Sequence, residues 1–83
     1  MKLLYFAWIR EKVGTPNEEV SLPDNVNSVA DLIKWQISRG EGYAEAFSDL
    51  SMIRVAVNQE YVSFEHSVDF GDEIAFFPPM TGG

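Results

Sequence analysis

Cysteine is absent from the 83-residue sequence, and histidine occurs only once, as His66. The lack of cysteine excludes a disulfide scaffold, a thiolate metal site and a cysteine nucleophile. No serine lies in a nucleophile-elbow pattern that His66 could serve, so we interpret His66 as a loop residue. No glycine-rich phosphate loop follows a predicted strand, and the acidic turn at Asp69, Asp72 and Glu73 lacks the spacing of an EF-hand. The sequence therefore indicates no self-contained active site and no metal site.

Long apolar runs and basic residues are also scarce. No run approaches the roughly 18 residues of a membrane span, and the N-terminus shows no signal-peptide pattern, so we expect a cytoplasmic protein without a membrane partner. Six basic residues stand against 13 acidic ones, a formal net charge of −7. Nucleic-acid binding requires concentrated Lys and Arg, so no nucleic-acid partner is expected. The acidity suits a basic protein partner, or it serves solubility alone.

The apolar residues suffice for one small core, since they make up 46% of the chain and aromatic residues 13%. Apolar runs and alternation predict five strands, at residues 2–8, 18–22, 52–57, 61–64 and 73–77. Residues 9–13 are predicted to form one helical turn that ends at Gly14. Strands that adjoin one another around one main helix indicate an α+β domain with one sheet.

The main helix is predicted to begin after Ser28, a favourable N-cap, with Asp31 completing an approximate capping box. Its core-facing stripe is predicted to contain Val29, Leu32, Ile33 and Ile37, with Gln36 at the margin. Gly40 is predicted to end it. A second, shorter helix is predicted within residues 41–50, with its buried face formed by Tyr43, Phe47 and Leu50.

A single main helix covers only one face of the sheet. Alternation places Leu3, Tyr5 and Ala7 of the first strand on one face, and Leu4, Phe6 and Trp8 on the other. The last strand is divided in the same way, with Ile74 and Phe76 opposite Ala75 and Phe77. The second face is covered either by loops or by a partner. We favour a partner, because 83 residues leave few spare loops.

Two prolines, Pro78 and Pro79, are predicted to end the last strand, because they cannot continue a sheet ladder. We therefore divide the chain into a domain at residues 1–77 and a flexible C-terminal tail at residues 78–83. Gly82 and Gly83 have no side chain and fit a slot too narrow for a Cβ. The Gly83 carboxylate is then either a working group or simply a frayed chain end.

Four groups of residues match a known family. They are Phe6-Ala7 with Arg10-Glu11 and Val13-Gly14, then Ala56-Val57-Asn58-Gln59 followed by Val62, then Gly71-Asp72-Glu73-Ile74-Ala75-Phe76-Phe77-Pro78-Pro79, and last Thr81-Gly82-Gly83. Together they resemble the small, sulfur-carrier subunit of molybdopterin synthase, a ubiquitin-related family. Met80 departs mildly from the pattern, since the family often has a β-branched residue there.

The resemblance implies a ubiquitin-like β-grasp fold, a mixed sheet on one main helix plus a short second helix. It implies that the Gly83 carboxylate is adenylated by an enzyme resembling ubiquitin-activating enzymes, which uses ATP and Mg²⁺, and then becomes a thiocarboxylate. The large synthase subunit would take that sulfur to build molybdopterin from a cyclic pterin precursor. The chain itself would be a non-catalytic subunit that binds no cofactor. Gly82 and Thr81 would pass through the partner, and the partner-facing positions would be Phe6, Tyr61, Phe77, Pro78 and Met80.

Three other functions remain open from the sequence. A sulfur carrier for thiamine synthesis or another thiolation pathway shares the fold and the tail. A ubiquitin-like modifier would attach the same C-terminus to lysines. A passive interaction module would have an incidental Gly-Gly.

Overall fold

The computed structural model describes residues 1–79, which contain one five-stranded sheet with the order β2-β1-β5-β3-β4. The strands are β1 (Lys2–Tyr5), β2 (Asn17–Glu19), β3 (Arg54–Val57), β4 (Glu60–Val62) and β5 (Glu73–Phe77). The helices are α1 (Ala7–Val13), α2 (Val29–Ile37) and α3 (Glu41–Ala46), with a 3-10 turn at Leu50–Met52. Strands β1 and β5 pair in parallel, and the other neighbours are antiparallel. This mixed sheet confirms the α+β class and the β-grasp expectation.

The first strand is shorter than predicted, because β1 ends at Tyr5 and not at residue 8. Phe6 is still extended, but Ala7 has φ 54° and turns the chain into α1. Helix α1 continues to Val13 and ends at Gly14, whose φ of 95° is left-handed. The prediction failed because an unbroken apolar run does not distinguish a strand from a buried helix. The predicted helical turn at residues 9–13 is thus the last five residues of a seven-residue helix.

Helix α2 begins as predicted, since the Ser28 hydroxyl accepts a hydrogen bond from the Asp31 backbone N–H at 3.1 Å. The predicted stripe is wrong at its end: Gln36 is fully buried, whereas Ile37 is 39% exposed. At 100° per residue, position 36 points close to the direction of Val29 and position 37 points well away from it. The polar amide of Gln36 is accommodated because it has buried hydrogen-bond partners.

Other boundaries also differ from the sequence predictions. Strands β2, β3 and β4 are each shorter than predicted, whereas β5 has the predicted bounds. Phe47 is buried and Tyr43 partly buried, as expected, but Leu50 is 40% exposed and leaves the predicted face. The chain departs from α-helix after Ala46, and Leu50 falls in the 3-10 turn.

The helices cover one face of the sheet and enclose the core there. Leu3, Tyr5, Ile74 and Phe76 are almost fully buried on this face, as strand alternation predicted. The Phe76 ring stacks on Tyr5 at 6.0 Å between ring centroids and meets Phe47 edge-on at 5.0 Å. None of the helices within residues 1–79 has the length and apolar character needed to cross a membrane.

Candidate partner-binding face

The sheet face opposite the helices, here named the open face, is formed by alternate side chains of four strands. Its members are Leu4, Arg54, Ala56, Tyr61, Ala75 and Phe77, together with Phe6 just after β1. One row crosses the sheet, because Leu4 is the Cα partner of Ala75, Ala75 of Ala56, and Ala56 of Tyr61. Directly opposed residues share a face, so this row is contiguous.

Aromatic side chains give the open face its apolar surface. Tyr61 is 79% exposed and Phe6 is 46% exposed, while Phe77 is half-buried. The Tyr61 and Phe77 rings are in contact, with 5.3 Å between their centroids. With Arg54 they line a shallow groove of about 240 Å³. Burying such aromatic surface is worth roughly 25 cal/mol per Å² to a partner.

Phe6 continues the strand pairing of β1 and is followed by a strained turn at Ala7. Its backbone N–H donates to the Phe76 carbonyl at 3.2 Å, so it extends the parallel pairing by one residue. Alternation then places its side chain on the same side as Leu4. Ala7 follows with φ 54°, a left-handed conformation that costs about 1 kcal/mol or more for a residue with a Cβ. This turn ends the strand and leaves Phe6 exposed beside the last strand.

The structure brings together three of the predicted partner-facing residues, Phe6, Tyr61 and Phe77. Pro78 is half-buried, directly after β5, and the strand ends before it as the two prolines predicted. Four predicted site residues, Met80, Thr81, Gly82 and Gly83, lie outside the described residues.

His66 and the acidic turn at residues 69–73 were considered above as candidate catalytic or metal-binding groups, and the structure shows where they lie. His66 is exposed in a loop, and its carbonyl accepts from the Val29 N–H at 2.9 Å. The Asp72 carboxylate accepts from the Asp69 N–H at 2.8 Å and from the Asn58 amide at 2.9 Å. Within residues 1–79, no three acidic or histidine side chains are grouped as metal ligands. The acidic turn is therefore tied to the β3–β4 turn through Asn58.

A partly buried polar cluster that sequence reasoning missed lies on the helix side of the sheet. Glu18 is the Cα partner of the buried Leu3, so it points inward from the edge strand β2. Arg39 donates two hydrogen bonds of 2.8 Å to its two carboxylate oxygens. The hydroxyls of Tyr5 and Tyr43 donate to the same carboxylate at 2.7 and 3.0 Å. We call this set, with Gln36, the Glu18 network.

Gln36 completes the Glu18 network. Its amide N–H donates to the Tyr5 hydroxyl at 2.6 Å, and its amide oxygen accepts from Arg39 at 2.8 Å. The Arg39 guanidinium also lies over the rings of Trp35 and Tyr43, 4.7 and 4.3 Å from their centroids. The one sequence feature that pointed to this network was Gln36, a polar residue next to the apolar stripe of α2.

Glu18 and Arg39 stabilise each other's ionised forms. Partial burial raises the pKa of Glu18, but hydrogen bonds from Arg39, Tyr5 and Tyr43 outweigh it and hold that pKa below its usual value. The hydrogen bond to Glu18 raises the pKa of Arg39. Burial, and then the bond to Glu18, raises the pKa of Tyr43. Glu18 and Arg39 are therefore both ionised at neutral pH, and they join β2 to the end of α2.

Comparisons with known proteins agree along the whole chain. A model described as the ThiS family matches residues 3–83. The molybdopterin synthase sulfur carrier subunit of Escherichia coli K12 is 42% identical over 83 residues, covering 100% of this chain and 99% of that protein. The subunit of the same name from Haemophilus influenzae is 35% identical over 83 residues, with the same coverage. Among solved structures, SAMP1 from Haloferax volcanii superposes with a TM-score of 0.73 at 26% identity, covering 100% of this chain and 98% of that one.

Proposed function

Since this chain belongs to the ThiS family and is related over its full length to molybdopterin synthase sulfur carrier subunits, we propose that it carries sulfur for molybdopterin synthesis on the carboxylate of Gly83. The observation that carries the proposal is the 42% identity over 83 residues. The fold is consistent with it, because the open face adjoins the end of β5, from which the chain continues toward Gly83.

The chemistry requires little from the carrier itself. A carboxylate is a poor acyl donor, because it has no good leaving group. Attack of the Gly83 carboxylate on the α-phosphate of ATP releases pyrophosphate and forms an acyl-adenylate. Hydrosulfide then attacks the acyl carbon, AMP leaves, and a thiocarboxylate remains. ATP and Mg²⁺ belong to the activating partner, and the absence of side chains at Gly82 and Gly83 lets the end enter a narrow catalytic site.

Two partners are proposed for the same end of the chain. An adenylating enzyme resembling ubiquitin-activating enzymes loads Gly83, and the large subunit of molybdopterin synthase unloads it. Both must receive Gly83, so they cannot hold it at once. The open face, with Phe6, Tyr61 and Phe77, is the proposed docking surface for each in turn, and moderate, exchangeable affinity is expected.

Mass spectrometry of the C-terminal peptide tests the proposal. After incubation with the activating enzyme, ATP and a sulfide source, we expect one oxygen of the Gly83 carboxylate to be replaced by sulfur. Deleting Gly83, or adding one residue after it, should abolish this change and molybdopterin formation. Gly71→Ala is the matched control, because a Cβ at that exposed turn meets no atom within 4 Å.

Other outcomes of the same experiment support other functions. Molybdopterin formation by the extended protein would refute the carboxylate mechanism. Attachment of Gly83 to lysines of other proteins supports a modifier, and sulfur transfer to a thiamine precursor supports the related carrier role. A chain end that is never altered in the native cell supports a passive module.

A further inference from the structure

Arg54 is a cation beside the aromatic side chains of the open face. It lies in β3 directly opposite Phe77 of β5, and it lines the open-face groove with Tyr61 and Phe77. The whole chain carries 13 acidic residues and a net charge of −7. In the described part of the chain, however, ion pairs form only between Lys12 and Glu45 and between Arg39 and Glu18. The charge of Arg54 therefore has no carboxylate partner among residues 1–79.

A second basic residue on the same face, Lys2, shows the contrast. Lys2 has the same strand parity as Leu4, but its Cα partners on either side are Glu19 and Glu73. Acidic neighbours thus flank Lys2, whereas the neighbours of Arg54 in the groove are aromatic. Any partner that covers the groove must remove water from Arg54, and an uncompensated buried charge is strongly unfavourable.

The Arg54 side chain is already held in place. Its Nη1 donates to the carbonyls of Ser51 and Ile53 at 3.1 and 3.0 Å, which fixes one end of the guanidinium. Among residues 1–79, its Nη2 and Nε hydrogens have no acceptor. A guanidinium fork matches a carboxylate with two parallel hydrogen bonds, and fixing it beforehand reduces the entropy lost on binding.

We propose that Arg54 forms an ion pair with an Asp or Glu side chain of the large synthase subunit, within the interface on the open face. The proposal rests on the proposed function, since it assigns the chemistry of that docking partner. A carboxylate suits the site better than a phosphate, because no second cation of the described chain lines the groove. The apolar rim of Tyr61 and Phe77 excludes water and strengthens the pair.

The test measures affinity for the large subunit from the same organism by titration calorimetry at low and high salt. Arg54→Glu places like charges together and should weaken binding at least about 30-fold, as loss of a desolvated, hydrogen-bonded charge pair does. Arg54→Leu should weaken it at least about tenfold, and Arg54→Lys by less than Arg54→Leu. Lys34→Glu is the matched control, because it makes the same charge change on the exposed side of α2 and should alter affinity by less than about twofold.

A partner substitution completes the test. Changing the partner's opposing Asp or Glu to Lys should restore binding to Arg54→Glu and weaken binding to the unaltered chain. Unchanged or tighter binding of Arg54→Leu, while Phe77→Ala still binds weakly, overturns the ion pair and leaves the docking face intact. Normal binding of Arg54→Glu to the large subunit with impaired adenylation overturns the proposal, because Arg54 would then serve the activating enzyme and not the large subunit. Sulfur at Gly83, read by mass spectrometry in the unaltered protein, reports separately on the proposed function.

Discussion

Replacing Glu18 by glutamine tests whether the Glu18 network holds β2 to the helices. The substitution keeps the size and shape of the side chain. A glutamine offers one acceptor oxygen, and its NH₂ group places a donor against the donors of Arg39, Tyr5 and Tyr43. The Arg39 guanidinium then keeps its charge in a largely buried place without a counter-ion.

The exposure of the Glu18–Arg39 ion pair determines how much stability Glu18→Gln is expected to lose. The Glu18 and Arg39 side chains are 18% and 22% exposed, so the pair is neither fully buried nor on the open surface. Breaking a buried pair from one side costs about 3–5 kcal/mol, and exposed pairs contribute about 0.2–1 kcal/mol. We therefore expect Glu18→Gln to lower the free energy of unfolding by about 2–3 kcal/mol. In a domain of this size that lowers Tm by roughly 10–20 °C.

The stability lost in Glu18→Gln should decrease as the pH falls. The pKa of Glu18 is lowered in the folded protein, so the folded state favours its ionised form. Its contribution is complete well above the unfolded value of about 4.3 and disappears as the pH falls through the folded value. The stability difference between the original protein and Glu18→Gln should therefore be full at neutral pH and shrink below about pH 4.

Urea unfolding at several pH values measures this difference, with Trp35 beside Arg39 as the fluorescent reporter. Glu45→Gln is the control, since Glu45 and its partner Lys12 are 62% and 51% exposed and their pair should contribute less than about 1 kcal/mol. A loss no greater than that of Glu45→Gln would refute the reasoning. So would a difference that is equal at acidic and neutral pH.

Backbone geometry at Gly42 and Gln59, and strand alternation at Phe77, give three further expectations. Gly42→Ala should lower the unfolding free energy by about 1–3 kcal/mol, because a Cβ there would overlap the Lys12 carbonyl oxygen. Gln59→Gly should raise it by up to about 1 kcal/mol, because Gln59 has φ 71°. Phe77→Ala should weaken partner binding at least about tenfold in a titration while costing less stability than Phe76→Ala, which should lose about 3–5 kcal/mol.

Each of these has a control in the same chain. Gly71→Ala should change stability by less than about 0.5 kcal/mol, because its site is open. Asn58→Gly should destabilise, although Asn58 also has a positive φ of 51°, because its amide bonds to Asp72 and to the Glu73 N–H would be lost. Equal stability losses from Phe77→Ala and Phe76→Ala would place Phe77 in the core and contradict its role on the open face.

Strand alternation and proline chemistry made the last strand predictable from the sequence. Glu73–Phe77 has the expected bounds because a turn precedes it and two prolines follow it. Alternation along this strand correctly placed Phe76 and Phe77 on opposite faces of the sheet, and so predicted the open face. Ser28 as the N-cap of α2 and Gly14 as the C-terminal stop of α1 were also predicted correctly, because capping depends on neighbouring residues alone.

Features that depend on distant contacts were not predictable in this way. Gln36 and Tyr5 are 31 residues apart, and Glu18 and Arg39 are 21 apart, so no local pattern joins them. Burial of Gln36 in place of Ile37 follows from those bonds as much as from helix phase. Likewise, the strand predicted to residue 8 ends at Tyr5 because Ala7 takes a left-handed conformation that its side chain disfavours. The hydrogen bond from the Phe6 N–H to the Phe76 carbonyl and the burial of Ile9 in α1, rather than local preference, hold that turn.

The position of β5 connects these observations to the proposed chemistry. It pairs with β1 on one side and β3 on the other, so Phe77 occupies a fixed point next to Arg54. The six residues from 78 to 83 span at most roughly 20 Å when fully extended. A partner that docks on Phe77 and pairs with Arg54 must therefore have its reaction centre within roughly 20 Å of that contact. Docking then makes delivery of Gly83 intramolecular, and the short connection gives it a high effective concentration at that centre. If Gly83 carries the sulfur as proposed, this short connection couples affinity on the open face to reactivity at Gly83, and the proposed transfer requires no catalytic side chain from the carrier.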